Sequence, residues 1–427
     1  MRVHIVGAGP TGMSIAWELV NFTDHDVVVY DSKPSAGGSW WEPGVVSRDL
    51  HAHRAVFKNA FVNTNSIFRE MGIQWADVFV KEKGSIYGTM FSSLGLKDYW
   101  ALTSLSARVL TQPEKYKTTT LKEAIGGPLT KKGQRFIETI TYSIDGVGWD
   151  TMTAYEFVQS FNHVALSVPE TQKVSGKVMS DAMQEALVAK GVTFVFGTSL
   201  KDVDYRDDGF TARFSGDLEV SDGLLVLCVD HNAAVTLIKE NWGPVHDRLT
   251  ASAYECINVL IDYDEPQDLA DPLTIAMESE WTVLPEMLEG QKTLSCVLCN
   301  LTEEILTMKP DELKARVLEQ VGGPRPSGIR IGWGAHWDGI RWRFSQSAGV
   351  LSTQGQIPFY GRCPSVTLCG MMSERHTPYA SIEAATEVGR SFCHGTFGTR
   401  PPLRPVLVTN VLMLLIVFIL LVIIYHV

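Results

Sequence analysis

Three separated stretches of this chain alternate short apolar runs with segments of helical period. That is the pattern of a buried parallel sheet covered by helices. In the first stretch Arg2-Val3-His4-Ile5-Val6 runs into Gly7-Ala8-Gly9-Pro10-Thr11-Gly12, a helix is predicted over 11–20, and a second apolar run, Val27-Val28-Val29-Tyr30, ends at Asp31. The second stretch starts near Val174 and predicts a helix over 181–190 stopped by Gly191, a strand over 192–196, another beginning at Ser199-Leu200, and a hairpin turning at Gly216-Asp217. It closes on the fully apolar run 223–229. The third predicts a buried strand over 366–370 and a helix starting within 377–390.

The first stretch also carries chemistry. A G-x-G-x-x-G triplet is a weak signal alone, but here it sits between a strand and a helix, and an acid follows nineteen positions after Gly12. Gly7 permits the tight turn, Gly9 lets backbone approach a pyrophosphate, and Gly12 lets the helix pack on the strand. The phosphates then face the helix N-terminus at Pro10-Thr11, where free N–H groups and the macrodipole favour anions. Asp31, with Ser32 beside it, stands where a carboxylate accepts hydrogen bonds from an adenosine ribose. These residues predict a dinucleotide site.

Gly37-Gly38, six residues beyond Asp31, makes the chain resemble the FAD-dependent amine oxidase superfamily, which includes monoamine and polyamine oxidases, protoporphyrinogen oxidase and carotenoid desaturases. The resemblance implies an α/β, Rossmann-like FAD-binding domain assembled from residues 1–72, 174–245 and 346–398. It also implies an interleaved α+β substrate domain from 73–173 and 246–345. It implies flavin contacts at Gly37, Gly38 and Ser39, an adenine contact at the Leu200 backbone, and a helix tip at Ser381-Ile382, beyond Gly370, that faces the flavin ring. Together with Gly7, Gly9, Pro10, Thr11, Gly12, Asp31 and Ser32 these form the expected cofactor site for non-covalent FAD. Several positions depart from the family: Ser39 replaces the usual arginine, Met371 an acid, Ser381 an aromatic residue and Ala384 a glycine. The strand predicted over 254–262 carries no lysine where many amine oxidases place one. The implied activity is oxidation of an amine or an apolar C–H or C–N substrate, with no catalytic residue assigned. A desaturase or porphyrinogen-type oxidase and a non-catalytic flavin-fold module remain alternatives. A nicotinamide-dependent dehydrogenase is disfavoured, because no second glycine-rich fingerprint is present.

Other candidates have bland readings. His51 and His53 share a strand face but lack further ligands, so no metal is expected, and Arg54 could contact flavin or a carboxylate. Cys296-Val297-Leu298-Cys299 has C-x-x-C spacing inside an apolar run, which reads as core packing rather than a redox dithiol. Cys363 lacks the context of a covalent flavin attachment. Most tryptophans fall in the two substrate segments, which suits an apolar or planar pocket.

Composition narrows the class. Length 427 with 45% apolar and 20% charged residues fits a folded two-domain enzyme, and a net charge of −11 without a basic run argues against nucleic acid as a partner. Seven cysteines without regular spacing fit a reducing compartment, and Glu18 with three glycines breaks any secretion signal in residues 1–20. Residues 406–427 contain no charged side chain and are long enough to cross a bilayer. A linker, 399–405, holds Pro401, Pro402 and Pro405 together with Arg400 and Arg404. The expectation is a single-pass C-terminal anchor in the lipid bilayer with the catalytic body on the cytosolic side.

Overall fold

The computed structural model describes residues 1–40, 55–81, 86–206, 209–245, 247, 249, 253–269, 271–288, 292–332, 334–345, 348–351, 356–412 and 414. Its centre is a five-stranded parallel sheet in the order Val366–Leu368, Leu224–Leu227, Arg2–Val6, Asp26–Tyr30, Thr193–Val195. Val226, Val3, Ile5, Val27 and Val29 are buried in one core with the Pro10–Phe22, Gly176–Ala189 and Ile382–Phe397 helices. Sheets of this kind are covered on both faces, and so their strands read as continuous apolar runs. A three-stranded antiparallel sheet, Leu200–Arg206, Gly209–Phe214 and Glu219–Val220, covers the other face.

The second half of the molecule has two layers. One is helical and includes Ile86–Ser93, Leu96–Thr111, Lys131–Asp145 and Ala154–Val164. The other is an antiparallel sheet in the order Leu284–Met287, Thr293–Leu298, Ile257–Asp262, Gly328–Ile331. Alternation sends Ile257, Val259, Ile261 and Cys296 into a core closed by Leu313 and Val317. Cys256, Val297, Leu284 and Glu286 take the opposite face.

The last helix is held by buried charge. Arg390, 1% exposed, donates to Glu18 Oε1 at 2.9 Å and Ser66 Oγ at 3.1 Å, and Arg400 binds Glu18 and Glu70 at 2.7 and 2.5 Å. The segment read as a plain linker is therefore a strap on the body. Leu403 N–H donates to Asn63 Oδ1 at 2.8 Å, Arg404 pairs with Glu387 at 2.6 Å, and Thr409 N–H donates to Asn162 Oδ1 at 3.0 Å. Arg400 and Arg404, which flank the expected anchor, are paired with body carboxylates. Of the expected anchor, residues 413 and 415–427 lie outside the described residues. Among the described residues no helix is long and apolar enough to cross a membrane.

Candidate active site

The cradle is built by close backbone approach. Gly7 has φ +111°, and a Cβ there would lie 2.1 Å from the Cys228 carbonyl oxygen, so the turn admits only glycine. Gly9 is the N-cap of the Pro10–Phe22 helix and brings no side-chain cap, which leaves the first-turn amides facing the cleft. Gly37 N–H donates to Ala8 O at 2.9 Å, and a Cβ on Gly38 would sit 2.9 Å from Gly9 Cα. The two glycine segments thus stack backbone on backbone. Asp31 accepts from Ala8 N–H at 2.7 Å and Lys33 N–H at 2.8 Å, and burial pushes its carboxyl above the ordinary range.

Gly7, Gly9, Pro10, Thr11, Asp31, Ser32, Gly38, Ser39, Leu200, Gly370, Ser381 and Ile382 line one cleft of about 470 Å³. Gly12 and Gly37 do not line it. A Cβ on Gly12 would meet Gly7 O at 2.0 Å, so its part is to seat the helix on the strand, while Gly37 clamps the loop through its amide. Sequence reasoning missed Lys33, whose Nζ donates to Gly38 O at 2.8 Å, and Thr198, Asp230 and His231, which also line the cleft. Asp230 and His231 follow a buried parallel strand, and ligands gather at such strand ends, so that signal was available. A backbone-walled cleft with free helix amides at one end and a carboxylate beside it fits a dinucleotide diphosphate and ribose.

The far end of the cleft is formed by the last helix. Ser381 Oγ accepts Ala384 N–H at 3.1 Å, and the helix begins only at Ile382, because Pro378 and this cap hold 377–381 out of it. Glu383 points away and caps another helix: it accepts Asn63 N–H and Thr64 N–H, both at 2.9 Å, with Thr64 Oγ1 at 2.8 Å, and burial lifts its carboxyl to about 7.

A second cavity, about 220 Å³, meets the cleft at Ala55, Ala348, Ala380 and Ser381. Phe57, Ile144, Phe161, Leu273, Leu284 and Val297 give it apolar walls, and Tyr142, Tyr254 and Tyr379 add aromatic ones. Asp145, buried at the end of Lys131–Asp145, orders this junction by accepting Tyr254 Oη at 3.1 Å and Ala380 N–H at 3.0 Å. Tyr379 Oη and His163 Nδ1 share a hydrogen bond of 2.9 Å, and burial drops the imidazole to about 4, so it is neutral near pH 7. The cavity also holds two carboxylates. Asp271 caps Pro272–Glu278 and accepts Thr89 Oγ1 and Thr274 Oγ1 at 3.0 and 2.7 Å, while Glu286 accepts Thr171 Oγ1. No Lys, Arg or His is among the described lining residues.

The remaining candidates divide. His51, His53 and Arg54 lie outside the described residues. Among the described residues no His, Cys, Asp or Glu cluster could hold a metal. Ile257–Asp262 carries no lysine on either face. Cys296 is buried behind the sheet while Cys299 lines the cavity, and neither is in a disulfide. Cys363 Sγ donates to Gly209 O at 3.3 Å and lines neither cavity among the described residues.

Residues 5–55 match the family description of an NAD(P)-binding Rossmann-like domain. The chain superposes on putrescine oxidase bound to putrescine, with TM-score 0.67 and 14% identity over 93% of this chain and 99% of that one. The chain shares the fold of these oxidases. Cyclohexylamine oxidase from Brevibacterium oxydans IH-35A matches at 0.62 with 15% identity over 91% of this chain and 96% of that one. An oxidoreductase from Methanosarcina mazei matches at 0.62 with 13% identity over 91% and 99%. No curated protein sequence matches the chain. The fold is the one that the resemblance of Gly7–Gly12, Asp31 and Gly37-Gly38 to the FAD-dependent amine oxidase superfamily leads one to expect.

Proposed function

We propose that this protein is an FAD-dependent oxidase of a small amine, with FAD held non-covalently along the cleft from Asp31 to Ser381. One observation carries the reading: a cavity with carboxylates and no described cationic side chain opens onto the end of the dinucleotide cleft at Ala380-Ser381. FAD would lie with its diphosphate over Gly9, Gly38 and the Thr11 amide, its adenosine ribose at Asp31, and its ring toward the last helix. Bound there, it supplies a two-electron acceptor for a substrate C–H bond.

The chain's own residues do the rest. The positive end of Ile382–Phe397 favours negative charge beside Ser381. Phe57, Phe161 and Leu284 exclude water, and the tyrosine faces receive a cationic or neutral nitrogen. Glu286 attracts a cation and repels a carboxylate, and at about 220 Å³ the cavity is below the usual range for drug-sized ligands. Size disfavours a tetrapyrrole and a long isoprenoid, and sign disfavours a dicarboxylate. A small ammonium compound fits.

The domain reading from the sequence is carried into this proposal, with 1–72, 174–245 and 346–398 holding FAD and the intervening segments the substrate. We also propose that residues 406–427 anchor the protein in a bilayer, on their length and lack of charge, with the body cytosolic. Protease protection in sealed membranes tests that side. The activity is tested on purified full chain in detergent: a flavin absorbance band should be present, and small amines should bleach it under argon. Bleaching by a porphyrinogen or isoprenoid and by no amine would overturn the amine assignment. A preparation that neither contains nor takes up FAD would overturn the whole reading.

A further inference from the structure

One surface patch is left unused by the site. Phe91, Leu96 and Trp100 are 66%, 91% and 77% exposed, although large apolar side chains are normally covered. Leu96 and Trp100 stand one turn apart on the same face of Leu96–Thr111, and Phe91, from Ile86–Ser93, packs its ring 6.3 Å from that of Tyr99. The corner is rigid. Asp98, fully buried, accepts Gly95 N–H at 2.9 Å and Thr130 Oγ1 at 2.6 Å, and Lys132 Nζ donates to Ser92 O at 2.9 Å. These bonds bring exposed Lys97, Lys131 and Lys132 around the apolar triad.

The charge is one-sided. Neither patch helix carries an exposed carboxylate among the described residues, and Lys131–Asp145 has no acid in its first turn, in a chain of net charge −11. We propose that this face docks on a bilayer surface bearing anionic headgroups, with Trp100, Leu96 and Phe91 entering the interface and the three lysines meeting the phosphates. The strap favours a membrane over a protein partner. It leaves the body at Thr409 against Asn162 of Ala154–Val164, and that helix packs on Leu96–Thr111 through Leu105, Val109, Phe157 and Val158. Beyond it Val411, Leu412 and Leu414 are exposed, and the uncharged segment runs on to residue 427. The docked face is therefore a second contact on the same helical layer, and it rests on the proposed anchor only for bringing the body within reach.

The test uses full-length protein reconstituted with phosphatidylcholine vesicles, with and without phosphatidylserine, whose acyl chains are brominated to quench tryptophan. Flotation on the vesicles without phosphatidylserine reports the anchor. The difference in quenching between wild type and Trp100→Phe reports the patch. We expect wild type to be quenched more than Trp100→Phe by one tryptophan's share in the phosphatidylserine vesicles, and the difference to vanish in the triple variant Lys97→Gln, Lys131→Gln, Lys132→Gln while flotation persists. Equal quenching of wild type and Trp100→Phe in both vesicle types overturns the docking, whether or not the protein floats. Quenching specific to Trp100 with flotation confined to the phosphatidylserine vesicles supports the patch and overturns the anchor. Self-association abolished by Leu96→Ser, with no lipid quenching, identifies a second copy as the occupant and also overturns the proposal.

Discussion

Replacing Gly38 by alanine tests whether the stacked glycines hold the proposed FAD. Gly38 has φ +59°, and a Cβ there would lie 2.9 Å from Gly9 Cα and 3.6 Å from Gly9 N, where ordinary carbon contacts need about 3.5–4.0 Å. The left-handed conformation costs an alanine roughly 1–2 kcal/mol, and the forced contact adds about 1 kcal/mol or more unless Gly9 moves by about half an ångström. The relief route is thus the backbone that is proposed to meet the diphosphate. Displacing one charge-assisted amide contact removes about 1.5–3 kcal/mol of binding, a loss of roughly ten- to 150-fold in FAD affinity. The assay is titration of apoprotein with FAD by flavin fluorescence, with thermal unfolding of the apoprotein alongside. Gly72→Ala serves as control, since Gly72 has φ +82° but nothing within 4 Å of a Cβ, and it should lose stability with no change in FAD affinity. If Gly38→Ala binds FAD within about threefold of wild type while Gly72→Ala behaves as stated, the stacked-glycine cradle is not the diphosphate site.

Three further outcomes follow from the geometry. Arg390→Met leaves Glu18 buried with only Arg400 as a cation and should destabilise by about 3 kcal/mol in urea unfolding, with partial recovery in the double variant Glu18→Gln/Arg390→Met; equal loss in both would refute the pairing. His163 titrates near 4 when folded against 6.5 unfolded, so the unfolded chain binds the proton first, and the stability present above pH 6.5 falls as pH drops toward 4, by up to about 3 kcal/mol. In His163→Gln the slope of stability against pH in that window should fall by up to one proton, and an unchanged slope would show that the imidazole is not held neutral. Glu286→Gln should raise KM for a cationic amine about tenfold with a smaller effect on kcat, and a steady-state comparison showing no change in KM would remove Glu286 from substrate recognition.

What could be read directly from the chain was whatever depends on neighbours in sequence. The strand–turn–helix at Val6–Thr11 and the acid at Asp31 follow from local backbone geometry, and the apolar runs 27–30, 223–229 and 366–370 announce parallel strands buried on both faces. Glycine positions were legible for the same reason, although Gly12 and Gly37 act by packing and clamping rather than by facing the cleft. The second cavity was not legible. Its walls come from Phe57, Tyr142, Phe161, Tyr254, Glu286 and Tyr379, residues on separate elements whose convergence no local spacing encodes. Asp145, which joins Tyr254 to the Ala380 amide, looks in sequence like an ordinary helix-end acid.

The strap shows the division most plainly. Its prolines made 399–405 read as a linker, and sequence shows the charge of Arg400 and Arg404 but not the partners that neutralise it. Only folding brings Glu18 to Arg390 and Arg400, Asn63 to Leu403, and Glu387 to Arg404. The sequence by itself determined the glycine turn at Gly7 and Gly9 that predicts a dinucleotide site, since φ angles and amide directions there are set within a few residues. Tertiary structure alone decided the charge and size of the adjoining cavity and the anchoring of the last helix, since burial and pairing depend on which distant side chains share a low-dielectric interior.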